Sequence, residues 1–349
     1  MPWMEQTSDA SDEERSVRGR RRRDDAQSEE MDVEDTPRDQ REKPVLVCTS
    51  ESVKLLVTLL SCLFQGKKDQ RIRCDIDSAG MLFTSHSKGK SLQIKTSLGS
   101  ELFDTFEFRA SETSQLDHDD EDDSQLDTQY SFALNLSALI ESLSMFGPAS
   151  LPTSSLRLSY FAESARLTLL VEDNGVICEC AMQVLELESN DIAQLEFESA
   201  FEQSAVIGRC IMQSEPLHDA FAELYDLPSA ASVAIAMYED DEGPASSHKC
   251  LSLSATSETG SCEIEFARSS SAFIEFFCTN DETSDDGSAS ATFHVAVLQQ
   301  AFKALGHSNE TFLRMNADGF LSVQHMIESG SGDKAFVDAL ISPEDTSIP

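Results

Sequence analysis

The sequence is short of positive charge. It sets 26 lysines and arginines against 63 aspartates and glutamates, a formal net charge of −37 over 349 residues. Phosphate repulsion excludes nucleic-acid binding by the outer surface at large, so any such contact needs a local basic face or a more basic partner. There is no CxxC pair. The nine cysteines, Cys48, Cys62, Cys74, Cys178, Cys180, Cys210, Cys250, Cys262 and Cys278, fall at no zinc spacing. They read as buried, reduced thiols of a cytosolic or nuclear protein. No apolar run reaches spanning length and the N-terminus has no signal-peptide core, so a soluble intracellular protein without membrane contact is expected. A G-x-x-x-x-G-K phosphate loop is also missing, since ESGSGDK at 328–334 has the wrong spacing and opens no helix. No cofactor is expected.

Two acidic stretches invite a metal and fail on chemistry. DIDSAG at 75–80 starts like a calcium loop, but Ala79 stands where a third ligand belongs and His86 where a closing glutamate belongs. It reads as a tight turn between strands. LDHDDEDDSQLD, within residues 111–129, is a contiguous like-charge run. A two-metal nuclease needs carboxylates gathered from ordered elements, so this run reads as a solvated loop.

What the chain does contain is enough apolar residue, 40%, for a real core. Residues 1–43 are polar and read as a disordered tail. Its block RGRRRRDD, with Arg18, Arg20, Arg21, Arg22 and Arg23, reads as a nuclear localisation signal. From Pro44 onward, strand-like runs alternate with short helices. SVKLLVTLLSCLFQGKKD is expected to be helical, with Val53, Leu56, Leu60 and Leu63 inward and Lys54, Thr58, Ser61, Gln65 and Lys68 outward. LNLSALIESLSMFG at 134–147 is the second helix, with Ser137 as expected N-cap and Gly147-Pro148 as stop. SEPLHDAFAELYDL is the third, capped by Ser214. LQQAFKALGHS is the fourth, with Leu298, Phe302 and Leu305 inward and Gln300, Lys303 and His307 outward. The acidic stretch 186–204 reads as a linker between two domains, 44–185 and 205–341, with 342–349 as a short tail.

The spacing repeats. Leu56 and Leu139, in the first and second helices, are about 83 residues apart; Leu217 and Leu298, in the third and fourth, are about 81 apart. Each half should be strand, helix, strands, helix, strands: an α+β layout with two helices on one face of antiparallel sheet.

Three stretches carry a family resemblance: LNLSALIESLSMFG (134–147), IMQSEPLHDAFAELYDL (211–227) and ADGFLSVQHMIESG (317–330). They resemble the PCNA-like sliding clamps, and among these the Rad-one-type subunits of the 9-1-1 DNA-damage checkpoint clamp, over roughly residues 44–341. The arginine-bearing tail and the acidic insert depart from that pattern. The resemblance implies two tandem clamp domains, with sheets outside and two helices per domain facing a channel. It implies a heterotrimeric ring with two sister subunits, closed around double-stranded DNA without sequence preference. An ATP-dependent clamp loader and checkpoint and repair proteins are the further partners implied, and the nucleus is the expected location.

The residues follow. Lys54, Lys67, Lys68 and Lys303 are expected to face the phosphates of DNA. Val176, Ile177, Cys178 and Cys180 in the first domain, and Cys262, Ile264 and Phe266 in the second, are expected at subunit interfaces made by edge strands. Leu185, Leu187 and Phe197 are expected around a groove for partner peptides. Two other readings stand beside this one. A 3′–5′ exonuclease would need dispersed acidic ligands and a general base, and none of the seven histidines sits in a paired carboxylate motif. A homotrimeric replication clamp would assemble from this chain alone.

Overall fold

The computed structural model describes residues 42–87, 89, 91–109, 129–188, 194–239, 249–279, 288–330 and 332–344. The arginine block at 18–23 and nearly all of the acidic run 111–129 lie outside the described residues. The first half comprises β1 (Leu46–Ser50), α1 (Lys54–Leu63), β2 (Arg71–Ile76), β3 (Gly80–His86), β4 (Leu92–Gly99), β5 (Thr105–Phe108), β6 (Tyr130–Asn135), α2 (Leu136–Leu143), β7 (Ser155–Phe161), β8 (Arg166–Asp173) and β9 (Val176–Gln183). α3 (Gln194–Glu202) follows. The second half repeats the order: β10 (Val206–Gln213), α4 (Ser214–Tyr225), β11 (Ser232–Tyr238), β12 (Lys249–Ser257), β13 (Gly260–Ala267), β14 (Phe273–Cys278), β15 (Ser288–His294), α5 (Val295–Ala301), β16 (Glu310–Asn316), β17 (Leu321–Glu328) and β18 (Lys334–Ile341).

These strands form three antiparallel sheets. Their orders are β5-β1-β7-β8-β9, β14-β10-β16-β17-β18-β4-β3-β2-β6, and β13-β12-β11-β15. The nine-stranded sheet belongs to both halves, because β18 pairs with β4 from Phe336 opposite Ser97 to Ile341 opposite Leu92. Alternate residues point to opposite faces. Ile94, Thr96 and Leu98 of β4 and Ala335, Val337 and Ala339 of β18 point into one continuous core. α1, α2 and α5 pack on that face. Lys95 and Asp338 therefore point to the opposite, outer face.

The turn at DIDSAG is as expected. Asp77 Oδ1 accepts from the amides of Ala79 (2.8 Å) and Gly80 (3.0 Å). Gly80 has no substitute there, since a Cβ would stand 2.2 Å from the carbonyl oxygen of Leu98. The nine cysteines are free, and Cys48, Cys62, Cys74, Cys210 and Cys250 are buried. Burial pushes the Cys48 thiol up to about 12 and that of Cys62 up to about 11.

The helix boundaries differ from expectation in instructive ways. α1 ends at Leu63, and Phe64 is already extended. Gly66 then turns with φ +77°. Gln65, Lys67 and Lys68 thus lie beyond the helix instead of continuing its polar stripe. The N-cap of α2 is Asn135, whose side chain accepts from the Ala138 amide at 3.0 Å, and not Ser137. Ser137 instead donates to the Lys67 carbonyl at 3.2 Å. Ser214 is inside α4 and fully buried. The fourth helix starts at Val295, three residues before the expected start, and tightens into a 3-10 turn over Phe302–Gly306.

Two polar devices tie these elements together. The first is a buried relay. His325 on β17 is fully buried. Its Nε2 lies 3.1 Å from the Ala301 carbonyl, which can only accept, so Nε2 carries the proton and Nδ1 accepts. Thr311 then donates to Nδ1 over 3.0 Å. Ser214 donates to Thr311 (2.8 Å) and Ser308 to Ser214 (2.8 Å). One direction satisfies the whole chain from β17 through β16 to the start of α4. Burial holds the imidazole down at about 4, from an ordinary 6.5.

The second device joins the halves. A helix C-terminus leaves carbonyls unpaired. Gln70 takes that of Leu63 (2.7 Å). Lys303, from the other half, donates to those of Ser61 (2.8 Å) and Phe64 (3.0 Å) and stands over the Phe64 ring. Its charge complements the negative end of α1, while burial lowers the ammonium pKa.

His325 is neutral in the fold and freely protonated once unfolded. Its stabilising contribution is complete above pH 6.5 and is lost as pH falls from there through about 4. Urea unfolding across that window should show wild type losing on the order of 3 kcal/mol more than His325→Gln. Equal acid sensitivity in the two proteins would disprove the neutral relay. Lys303→Met should cost about 1–2 kcal/mol through lost capping, whereas Lys54→Met, on an exposed helix position, should stay within about 0.5 kcal/mol of wild type; urea midpoints at pH 7.5 compare them.

Candidate functional site

Three surfaces carry the residues singled out from sequence. The first comprises two of the sheet-edge strands, β9 and β13. Among the described residues β9 pairs with β8 alone and β13 with β12 alone, so each offers backbone donors and acceptors that none of these residues takes up. Val176 and Ile177 on β9 are 57% and 66% exposed, the most exposed large apolar side chains among the described residues. Cys178 and Cys180 on β9, and Cys262, Ile264 and Phe266 on β13, are half-buried and point toward the core side. On the outer side of β13, Lys249 of β12 reaches Glu263 (2.9 Å) and Glu265 (2.7 Å) and lies over the Tyr238 ring. Those two hydrogen bonds, led by that to Glu265, raise the lysine pKa.

The second surface is the helical face. Lys54, Lys67 and Lys68 are exposed in the first half. Glu141 is exposed on α2. α4 is opposite in sign: Glu215, Asp219 and Glu223, four residues apart, make one exposed acidic row, with His218 beside Asp219 at 3.5 Å. A search of the sequence for basic stripes passed over this row.

The third surface is the outer face and β6 edge of the nine-stranded sheet, beside residues 184–188 and 194–204. Leu185 exchanges backbone hydrogen bonds with Ala133 of β6 (2.9 and 2.8 Å), and Arg71 holds Glu188 (2.8 Å) and the Glu186 carbonyl (2.7 Å). Leu187 is half-buried between them in sequence. α3, not foreseen in the linker, lies farther along the sheet. Its Phe201 packs against Arg314 of β16, with the guanidinium 5.5 Å from the ring, and Asn316 donates to the Phe201 carbonyl at 3.0 Å. Phe197 meets Phe320 edge-on at 6.0 Å. Glu198 forms an ion pair with Lys95 of β4 and accepts from Gln93 at 3.3 Å. Leu185 is thus anchored on β6 and Phe197 beyond β4. With two strands between β6 and β4, about 14 Å of sheet separates these anchors. They pin the two ends of the linker and do not line one groove.

Among the described residues no group of three or more His, Cys, Asp or Glu side chains is arranged to hold a metal. No helix among them is long and apolar enough to cross a membrane.

With this geometry in view, comparison with known proteins is specific. The family described as Repair protein Rad1/Rec1/Rad17 matches residues 45–327. The human Cell cycle checkpoint protein RAD1 is 29% identical over 216 residues, 61% of this chain and 69% of the relative. The mouse protein of that name is 26% identical over the same shares. The DNA damage checkpoint control protein rad1 of Schizosaccharomyces pombe is 25% identical over 317 residues, 84% of each chain. A match spanning both halves of the fold, from β1 into β17, means that the chain belongs to the Rad1/Rec1/Rad17 repair-protein family.

Proposed function

We propose that this chain is the Rad1-type subunit of a heterotrimeric 9-1-1 clamp that encircles double-stranded DNA at damage sites. It acts there as a non-catalytic platform for checkpoint and repair proteins. Two tandem clamp domains, each with two helices toward the channel, make up the subunit. An ATP-dependent loader places the ring on DNA, and the nucleus is where it works, with Arg18, Arg20, Arg21, Arg22 and Arg23 as import signal.

The observation that carries the reading is the internal pairing of β18 with β4. In the first half, the register row Cys48, Leu158, Leu169, Cys180 crosses β1, β7, β8 and β9. Its counterpart in the second half is Cys210, Leu313, Val323, Ala339. Cys180 therefore corresponds to Ala339, and Cys178 to Val337. Counting back from the starts of α2 and α5, Phe132, Cys74, Phe83, Thr96 corresponds to Ala291, Ile235, Leu253, Ile264. Val337 sits opposite Thr96, and Ala339 opposite Ile94. The same joint between successive subunits would set Cys178 opposite the neighbour's equivalent of Ile264, and Cys180 opposite that of Cys262. Val176 would meet the equivalent of Phe266. Residues buried at the internal joint have half-exposed counterparts at the free edges. A neighbouring subunit at each edge would bury them in the same way.

A head-to-tail contact of two different edges closes a ring when its rotation does. Lys54, Lys67 and Lys68 then supply mobile charge toward phosphate on the first-half wall, without reading bases. Lys303 adds charge to that wall while two of its donors remain on the carbonyls of Ser61 and Phe64. The acidic row of α4 repels phosphate, so this subunit holds DNA chiefly by its first half.

Light scattering of the chain alone and with two sister subunits tests this. The expected result is a monomer that becomes a 1:1:1 trimer, and an Ile177→Asp chain that stays monomeric with unchanged near-UV circular dichroism. Self-assembly into a trimer, with Cys180 of one copy oxidisable onto Cys262 of the next, would assign a homotrimeric clamp instead. Absence of assembly in any mixture would overturn the ring.

A further inference from the structure

Beneath α3, on the outer face of the spanning sheet, lies a cavity of about 370 Å³. Its floor holds Gln93, Lys95, Arg314, Ser322, Gln324 and Asp338; Glu198, Phe201 and Glu202 of α3 roof it. We propose that this cavity is an anion-binding subsite for an acidic or phosphorylated side chain of a partner peptide, and that Glu198 is its built-in stand-in ligand. The inference goes beyond ring formation and needs no sister subunit.

The lining combines two cations, two amides and a hydroxyl with three carboxylates, two of which belong to α3. Lys95 on β4 and Arg314 on β16 come from the two halves, with β18 and β17 between them, and their long side chains both reach the cavity. In a chain of net charge −37, two cations facing one outer-surface cavity stand out from their surroundings. Lys95 is partly desolvated, and burial lowers its ammonium pKa. Such a group gains from an anionic partner. Arg314 donates one terminal nitrogen to Ser322 Oγ at 2.9 Å, while its buried Nε–H has no hydrogen-bond partner among the described residues. A buried donor left unpaired favours any ligand that supplies an acceptor. Gln93 already turns its amide toward Glu198, and Gln324 donates to Asp338 at 2.8 Å.

The carboxylates in the cavity do not oppose the proposal. Glu198 and Glu202 both sit on α3 and leave with it. The floor then holds two cations and one carboxylate, Asp338, whose oxygen is already engaged by Gln324. Phe201, at 9% exposure, is the one buried side chain of α3 among the described residues, so few core contacts resist its displacement. Exchanging the carboxylate of Glu198, itself 38% exposed, for another anion conserves the ion pair with Lys95.

The test uses the full chain and two simple probes, inorganic phosphate and acetate, followed by calorimetry and by hydrogen exchange of residues 194–202. Glu198→Gln should bind phosphate about tenfold more tightly than wild type, and Lys95→Met added to it should remove the gain. Arg314→Gln, combined with Glu198→Gln, gives the same reading should the lysine variant unfold. In wild type, phosphate should accelerate exchange in α3. A phosphate preference supports the site and assigns it to phosphorylated partners; equal binding of acetate supports it and assigns acidic ones. Equal phosphate affinity of wild type and Glu198→Gln, or binding that survives both double variants, would mean an adventitious ion only and overturn the proposal.

Discussion

The pairing of β18 with β4 is the joint on which the rest of the structure depends. It bonds residues some 240 positions apart, as where Thr96 Oγ1 meets the Phe336 carbonyl at 3.0 Å. Without it the two halves would be separate small sandwiches, each with more edge than core. With it, a nine-stranded sheet carries both hydrophobic layers on one face. Everything that crosses the junction follows its register: Lys303 reaching the end of α1, α3 reaching from Lys95 to Arg314, and the cavity between them. The ladder is also a template. One joint is made inside the chain, and the strands that correspond to it stand open.

Charge is distributed with the same economy. Backbone dipoles, not carboxylates alone, receive the structural cations: Lys303 spends its ammonium on helix carbonyls, and Arg71 divides itself between Glu188 and a backbone oxygen. Lys249 is held between two glutamates on an edge strand. The remaining exposed lysines of the helical face gather in the first half, while α4 carries only acids and a histidine there. The helical face is thus electrostatically two-sided, although the element order of the halves is the same.

The strand runs, the four short helices and the repeat were legible because each rests on local periodicity. Val53, Leu56, Leu60 and Leu63 are all buried as their spacing predicts. Both candidate edges, β9 and β13, lie at sheet edges, which the resemblance implied and periodicity could not have shown. What was illegible depends on partners distant in sequence. Ser137 and Ser214 have the chemistry of caps, but the backbone stays extended through Asn135 and Gln213, so the helices start elsewhere. α3 carries too weak an apolar stripe to stand out from an acidic linker; its Phe201 is fixed by Arg314 and Asn316, which lie far away in sequence. His325 reads as an ordinary polar strand residue until Thr311 and Ala301 are brought to its two nitrogens. Lys303 has helical-surface spacing, and nothing local announces that the end of α1 lies within its reach.

β9 has a further consequence. Two adjacent aliphatic side chains, Val176 and Ile177, stand exposed on a strand whose backbone is paired on one side only. An edge of that kind, long and apolar, templates indiscriminate strand addition. A copy made in excess of whatever covers it is therefore a hazard to itself, and its steady-state level is governed by clearance as much as by synthesis. Cellular abundance of this chain should follow the supply of its cover, a matter of dosage written into eight residues of strand.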